Sequence, residues 1–145
     1  MTPRERTPRD VLRRFYAAMK AKSADMFADL YAPDAIHEFS FYTPHRPPRY
    51  VGREEVRAGY ASAWTNHPLH IDDIFDVFVY DATDPEVVLG QWRLRGSLVA
   101  TGAPVEVTGV VVLRVRDGLI VHCHDVMDVL GTSKALGRVP FSPNV

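Results

Sequence analysis

A chain of 145 residues with 17 basic and 18 acidic side chains has a net charge of −1, and its mixed charges offer no concentrated cationic face for nucleic acid. Hydrophobic residues reach 46%, enough for one core, yet no apolar run approaches the roughly 20 residues that a bilayer-spanning helix needs. The single cysteine, Cys123, excludes an internal disulfide and any multi-cysteine metal centre. With a polar, arginine-rich start and no apolar leader, the expectation is one cytoplasmic domain over residues 1–145, without membrane or nucleic-acid partners.

Thr7-Pro8 reads as a helix N-cap followed by proline at the first helical position, with Asp10 in the first turn. Val11, Leu12, Phe15, Tyr16 and Met19 then recur at helical spacing and form one apolar stripe. Ser23 is placed to cap a second helix carrying Met26, Phe27, Leu30 and Tyr31, which Pro33 ends. A short strand is predicted over 35–42. Pro44, Pro47 and Pro48 make 43–50 an irregular loop at the edge of the domain. Residues 52–64 read as a third helix, with Val56, Tyr60, Ala63 and Trp64 on one side.

From residue 70 the period changes from helix to strand. Strands are predicted over 70–80, 87–100, 105–115 and 119–129. Their separators are Asp84-Pro85, Thr101-Gly102-Ala103-Pro104 and Asp117-Gly118, the last being a two-residue hairpin signal between valine-rich runs. Helices first and meandering strands afterwards define an α+β fold, with the helices closing one face of a curved antiparallel sheet over a small-molecule pocket.

Strand parity then sorts the polar residues, because alternate side chains share a face. On the final strand one face reads Val121, Cys123, Asp125, Met127 and Val129; the other reads Ile120, His122, His124, Val126 and Asp128. Asp125 thus falls among apolar neighbours, where an ionised carboxylate is costly unless paired or hydrogen-bonded. Such a group is a candidate general acid or base, unless a bulge slips the parity and turns it to solvent. On the first strand His37, Phe39 and Phe41 share a face, which makes His37 either a proton-transfer partner or a hydrogen-bonded structural histidine. Glu38, on the other face, reads as a solvated or interface residue.

His122 and His124 could supply half of a metal site, with Asp128 or a residue of another strand as third ligand. Zinc takes three or four ligands and the chain offers few, so no metal is expected and the pair is read as outer-face packing at a subunit contact. Tyr16, Tyr60, Trp64 and Trp92 combine large apolar bodies with a polar tip, which suits either a core or a cavity wall. Cys123 reads as a small buried apolar residue. Without a glycine-rich nucleotide loop, a nucleophile elbow or a His-Glu-x-x-His run, no cofactor is expected.

The stretch Phe27-Ala28-Asp29-Leu30-Tyr31-Ala32-Pro33-Asp34-Ala35, the helix opening Gly52-Arg53-Glu54-Glu55-Val56 and the closing strand resemble the nuclear-transport-factor-2-like superfamily over nearly the whole chain. The resemblance implies a cone-shaped, curved mixed or antiparallel sheet with three N-terminal helices enclosing an apolar pocket, a cystatin-like α+β barrel. The oxyanion-hole tyrosine, catalytic aspartate and protonated aspartate of ketosteroid isomerase would fall on Phe15, Phe39 and Val110, so steroid isomerisation by that mechanism is not expected. Thr83-Asp84-Pro85, the run Arg95-Gly96-Ser97-Leu98-Val99-Ala100-Thr101-Gly102-Ala103-Pro104 and the ending His124-Asp125-Val126-Met127-Asp128 are similar to SnoaL-like proteins of the phenazine-biosynthesis A/B type, as is Lys134-Ala135-Leu136-Gly137. In that family an acidic residue of the last strand is the acid catalyst, and its position matches Asp125.

What the resemblance implies is a cofactor-free acid/base enzyme of isomerase, cyclase, dehydratase or condensation type. It would act on a small hydrophobic cyclic biosynthetic intermediate, as a homodimer. Asp125 and His37 would be catalytic, and Tyr16, Phe39, Tyr60, Trp64, Trp92 and Met127 would hold the substrate. The alternative is a non-catalytic binder or accessory dimeric protein on the same fold.

Overall fold

The computed structural model describes residues 1–41 and 46–138. Helix α1 (Pro8–Ala21) starts where its capping chemistry dictates. The Thr7 hydroxyl accepts from the Asp10 N–H at 3.1 Å, and the Asp10 carboxylate accepts from the Thr7 N–H at 2.9 Å. Ser23 caps α2 (Ala24–Ala28) by accepting from the Met26 N–H.

This second helix has only five residues and stops before the predicted end. Leu30 accepts from the Ile120 N–H, and Tyr31 opens β1 (Tyr31–Phe39). Phe27 and Tyr31 are four apart, a spacing that a helix permits, but pairing with a distant strand satisfies the same backbone groups. The proline disfavours helix at Ala32 in any case.

Strand β2 (Arg49–Val51) pairs antiparallel with β1, where the sequence suggested only loop. The predicted loop residues Thr43, Pro44 and His45, and Tyr42 at the predicted strand end, lie outside the described residues. Helix α3 (Arg53–Trp64) follows, then β3 (Leu69–Asp81), β4 (Val87–Leu98), β5 (Pro104–Arg116) and β6 (Leu119–Met127). Asp117 at φ 51° and Gly118 at φ 75° make the tight hairpin between the last two strands. The final strand is shorter than predicted, because the Asp128 carboxylate accepts from the Gly131 N–H at 2.8 Å and caps α4 (Val129–Ala135).

The fold is α+β, with one curved, mixed six-stranded sheet ordered β2-β1-β6-β5-β4-β3. The sheet does not close, so β2 and β3 are its edges. Alternation is strict at its centre: Val88, Trp92 and Leu94 of β4 and Val107, Val111 and Leu113 of β5 are buried, while their neighbours are less so. Helix α1 lies over β3, β4 and β5, and α3 over β1 and β2. A bulge between Arg114/His122 and Val115/Ile120 corrects one parity assignment. Ile120, not Val121, faces the core, and the inner face of β6 reads Ile120, Cys123, Asp125.

Candidate functional site

Strands β1 and β6 run parallel, with His37 opposite Cys123 and Phe39 opposite Asp125. All four side chains therefore belong to the inner face. His37 is fully buried, the one polar or charged residue so enclosed among the described residues. Its Nδ1 lies 2.7 Å from the Tyr31 hydroxyl, and its Nε2 lies 3.0 Å from the Tyr60 hydroxyl. Asp125 Oδ2 is 3.3 Å from His37 Nε2 and accepts from the Tyr60 hydroxyl at 3.3 Å. The bulge leaves Asp125 on the inner side, so the acid remains beside the histidine instead of turning to solvent.

Aromatic rings hold this cluster. Phe27 packs at a tilt 4.3 Å from Tyr60, and Phe39 4.8 Å from His37, centroid to centroid. Tyr50 of β2 closes another side, 6.2 Å from His37 and 6.1 Å from Tyr60. Gly59 makes room for it: a Cβ there would collide with the Tyr50 ring. That accounts for a glycine inside α3, where alanine would favour the helix by about 1 kcal/mol.

Burial pushes the Tyr60 hydroxyl well above its ordinary pKa, and the neighbouring Asp125 charge adds to the effect. Burial also raises Tyr31, with Cys123 and Tyr60 contributing, and raises the Cys123 thiol, with Asp125 contributing. The two phenols are therefore fixed as neutral hydrogen-bonding groups. With Tyr31 donating to Nδ1, the His37 Nε2–H donates to the Tyr60 hydroxyl, which in turn donates to Asp125. The Asp125 side chain keeps 13% of its exposure, whereas His37 keeps none.

A cleft of about 660 Å³ opens next to this cluster, with Arg46, Tyr50, Trp64, His67, Met127 and Leu136 in its walls. Tyr50 and Trp64 each pack on Tyr60, and Met127 follows Asp125 on the same strand face. Burial lowers the pKa of His67, and Lys22, Arg138 and Arg46 lower it further. The cleft is therefore aromatic at Tyr50 and Trp64, which pack on Tyr60, and cationic around His67.

Of the predicted residues, His37, Phe39, Tyr60, Trp64, Asp125 and Met127 come together. Tyr16 and Trp92 do not join them. Tyr16, on α1, lies over Gly90 of β4, where a Cβ would come within 2.5 Å of its hydroxyl. That hydroxyl has no hydrogen-bond partner, and burial followed by the nearby Asp76 charge raises its pKa. Trp92 lies against Gly109, 4% exposed, as part of the core. Phe41 shares the predicted face but is 62% exposed at the cleft's edge.

Tyr31, Tyr50 and Phe27 are the members that sequence reasoning missed. For Tyr31 the signal was Ala32-Pro33, which marks extended chain; for Tyr50 no local pattern announced a strand. On the outer face Glu38 meets His122 and His124, while Asp128 serves as a helix cap. Glu38 is half-buried and ion-paired, not simply solvated.

Helices laid over the inner face of a curved mixed sheet give the nuclear-transport-factor-2-like, ketosteroid-isomerase-like fold. A family model described as the SnoaL-like domain matches residues 12–123, and the chain belongs to that family. The matched span includes His37 and Tyr60 and ends two residues before Asp125. The PhzA/B-like protein PA3332 of Pseudomonas aeruginosa is 28% identical over 123 residues, 82% of each chain. A proposed isomerase from Bacillus subtilis superposes with a TM-score of 0.80 at 26% identity, over 94% of this chain and 96% of that one. RV0760c from Mycobacterium tuberculosis, solved in complex with estradiol-17beta-hemisuccinate, shares the fold with a TM-score of 0.69 at 18% identity, over 87% and 98% of the two chains. Among the described residues no helix is long and apolar enough to cross a membrane.

Proposed function

We propose that this protein is a cofactor-free acid/base enzyme of the isomerase or cyclase type, acting on a small hydrophobic cyclic molecule bound in the cleft. The observation that carries this reading is the Asp125–His37–Tyr60 contact, with Asp125 Oδ2 at 3.3 Å from both partners and the most exposed of the three. Asp125 exchanges a proton with the substrate. His37 takes up or returns that proton, and the Tyr60 hydroxyl stabilises the carboxylate. Tyr50, Trp64 and Met127 hold the apolar body of the molecule. The similarity to the Bacillus subtilis protein supports an isomerase assignment, and the estradiol derivative on the Mycobacterium tuberculosis protein supports a hydrophobic cyclic ligand.

The test uses 5-nitrobenzisoxazole, whose ring opens when a base removes its C–H proton as the N–O bond breaks. The wild-type chain should accelerate this reaction, and Asp125→Asn should lower the rate at least about 100-fold while probe binding, followed by Trp fluorescence, is retained. Equal rates in the two proteins reject the role of Asp125.

A second reading, a non-catalytic binder, is favoured by one specific observation. The polar groups around His37 satisfy one another, as a purely structural network would. Binding of the probe without turnover by the wild-type chain decides for it. Both readings include a homodimer in a cytoplasmic biosynthetic setting. Support for the dimer comes from an apolar hollow of about 560 Å³ on the outer sheet face, lined by Val110, Val126 and Leu130 among others. Sedimentation equilibrium tests it.

A further inference from the structure

The outer face of the same two strands carries a second histidine–carboxylate group, independent of the proposed acid/base site. The geometry points to a divalent transition-metal site formed by Glu38, His122 and His124, of the two-imidazole, one-carboxylate type that zinc accepts.

Three features carry this. First, the ligand atoms already converge: His122 Nε2 lies 3.1 Å and His124 Nδ1 3.5 Å from Glu38 Oε2, and all three lie within 4.8 Å of one another. Ligands at 2.0–2.1 Å around a tetrahedral ion stand about 3.3 Å apart, so two edges of the coordination triangle are close to their final length and the third is no longer than 4.8 Å. Second, the ligands are presented by regular strands, not loops. Glu38 and His124 are direct partners across the parallel β1–β6 pair, and His122 is two residues away on the same face. The two imidazoles stand 4.3 Å apart and inclined by 30°, so they present themselves side by side. Rigid elements hold a constellation more closely than loops do.

Third, the carboxylate is oriented and the site is open. Arg49 approaches the other oxygen, Oε1, at 3.9 Å, leaving Oε2 to the histidines. Arg114, opposite His122 on β5, is drawn away by Asp84 at 2.7 Å and Glu86 at 3.4 Å. Side-chain exposures of 32%, 34% and 45% for Glu38, His122 and His124 give an ion access and leave room for water as a further ligand. A bound ion would tie β1 to β6 across the outer face, behind the strands that carry His37 and Asp125.

Zn²⁺ titrated into the untagged, metal-stripped chain by calorimetry tests the site. One ion per chain is expected, and Glu38→Gln, His122→Ala and His124→Ala should each weaken binding at least about tenfold. His70→Ala, which removes an exposed histidine paired with Asp72 on β3, should leave the affinity unchanged. Zn²⁺ should also shift the imidazole NMR signals of His122 and His124 in the wild-type chain while leaving His70 unmoved, a measurement that needs no variant to fold. Absence of saturable Zn²⁺ binding, affinities unchanged in all three ligand variants, or a shift confined to other histidines would overturn the site.

Discussion

The two faces of the β1–β6 pair carry the same chemical types, a histidine beside a carboxylate, in opposite surroundings. Inside, His37 has no exposure and is bracketed by two buried phenols, with aromatic rings on most sides. Outside, His122 and His124 share Glu38 with solvent within reach. Burial is what separates them. An enclosed polar group must find its partners within the protein, so the inner network is tied to folding, whereas the outer group can exchange its internal partners for water.

The contrast is most sharply tested by removing the histidine from each face. His37→Ala should destabilise the protein by about 3–5 kcal/mol, because it leaves a cavity and strands Tyr31, Tyr60 and Asp125 without a shared partner. Urea unfolding measures this, and a loss below 1 kcal/mol on that scale would mean that the inner network relaxes as easily as the outer.

An alkaline titration sharpens the same point. Tyr31, Tyr60 and Cys123 have raised folded-state pKa values, so the unfolded chain gives up these protons first. Their contribution is complete below the ordinary values of 9.0 for the thiol and 10.0 for the phenols, and it is lost as pH rises beyond them. Stability should fall above about pH 9 with a slope approaching 1.4 kcal/mol per pH unit for each group that titrates. Flat stability to pH 11 would contradict the burial of these groups.

Tyr31→Phe should cost about 1–2 kcal/mol, the price of leaving Nδ1 of His37 unpaired. Differential scanning calorimetry of the two proteins measures it. The smallest effect belongs outside: without metal, His124→Ala should change stability by no more than about 0.5 kcal/mol, and a larger loss would show that the outer group is part of the fold.

Much of the framework was legible in the sequence. Thr7-Pro8, Ser23 and Asp117-Gly118 act through backbone groups within a few residues, and each does in the structure what its chemistry suggested. Parity placed Cys123 and Asp125 together on the inner face, since the bulge lies upstream of both. Parity failed at Val121 and Ile120, because a bulge is a property of two strands and one strand's pattern does not announce it. Tyr16 and Trp92 have the same composition as a cavity wall but serve as core. Their surroundings are Gly90 and Gly109, which a list of aromatic residues does not reveal. Asp128 looked like a strand residue and a possible ligand until α4 claimed it as a cap.

Local chemistry along the chain therefore accounts for where most elements begin and end, and for which residues face inward on β4, β5 and the end of β6. The meeting of His37 with Asp125, and of Glu38 with His122 across 84 residues of chain, was decided by the tertiary structure. Caps, turns and alternation are set by interactions between near neighbours. The parallel β1–β6 pairing and its register follow from burying both strands' apolar faces together under α2 and α3, a term that exists only once the whole sheet has formed.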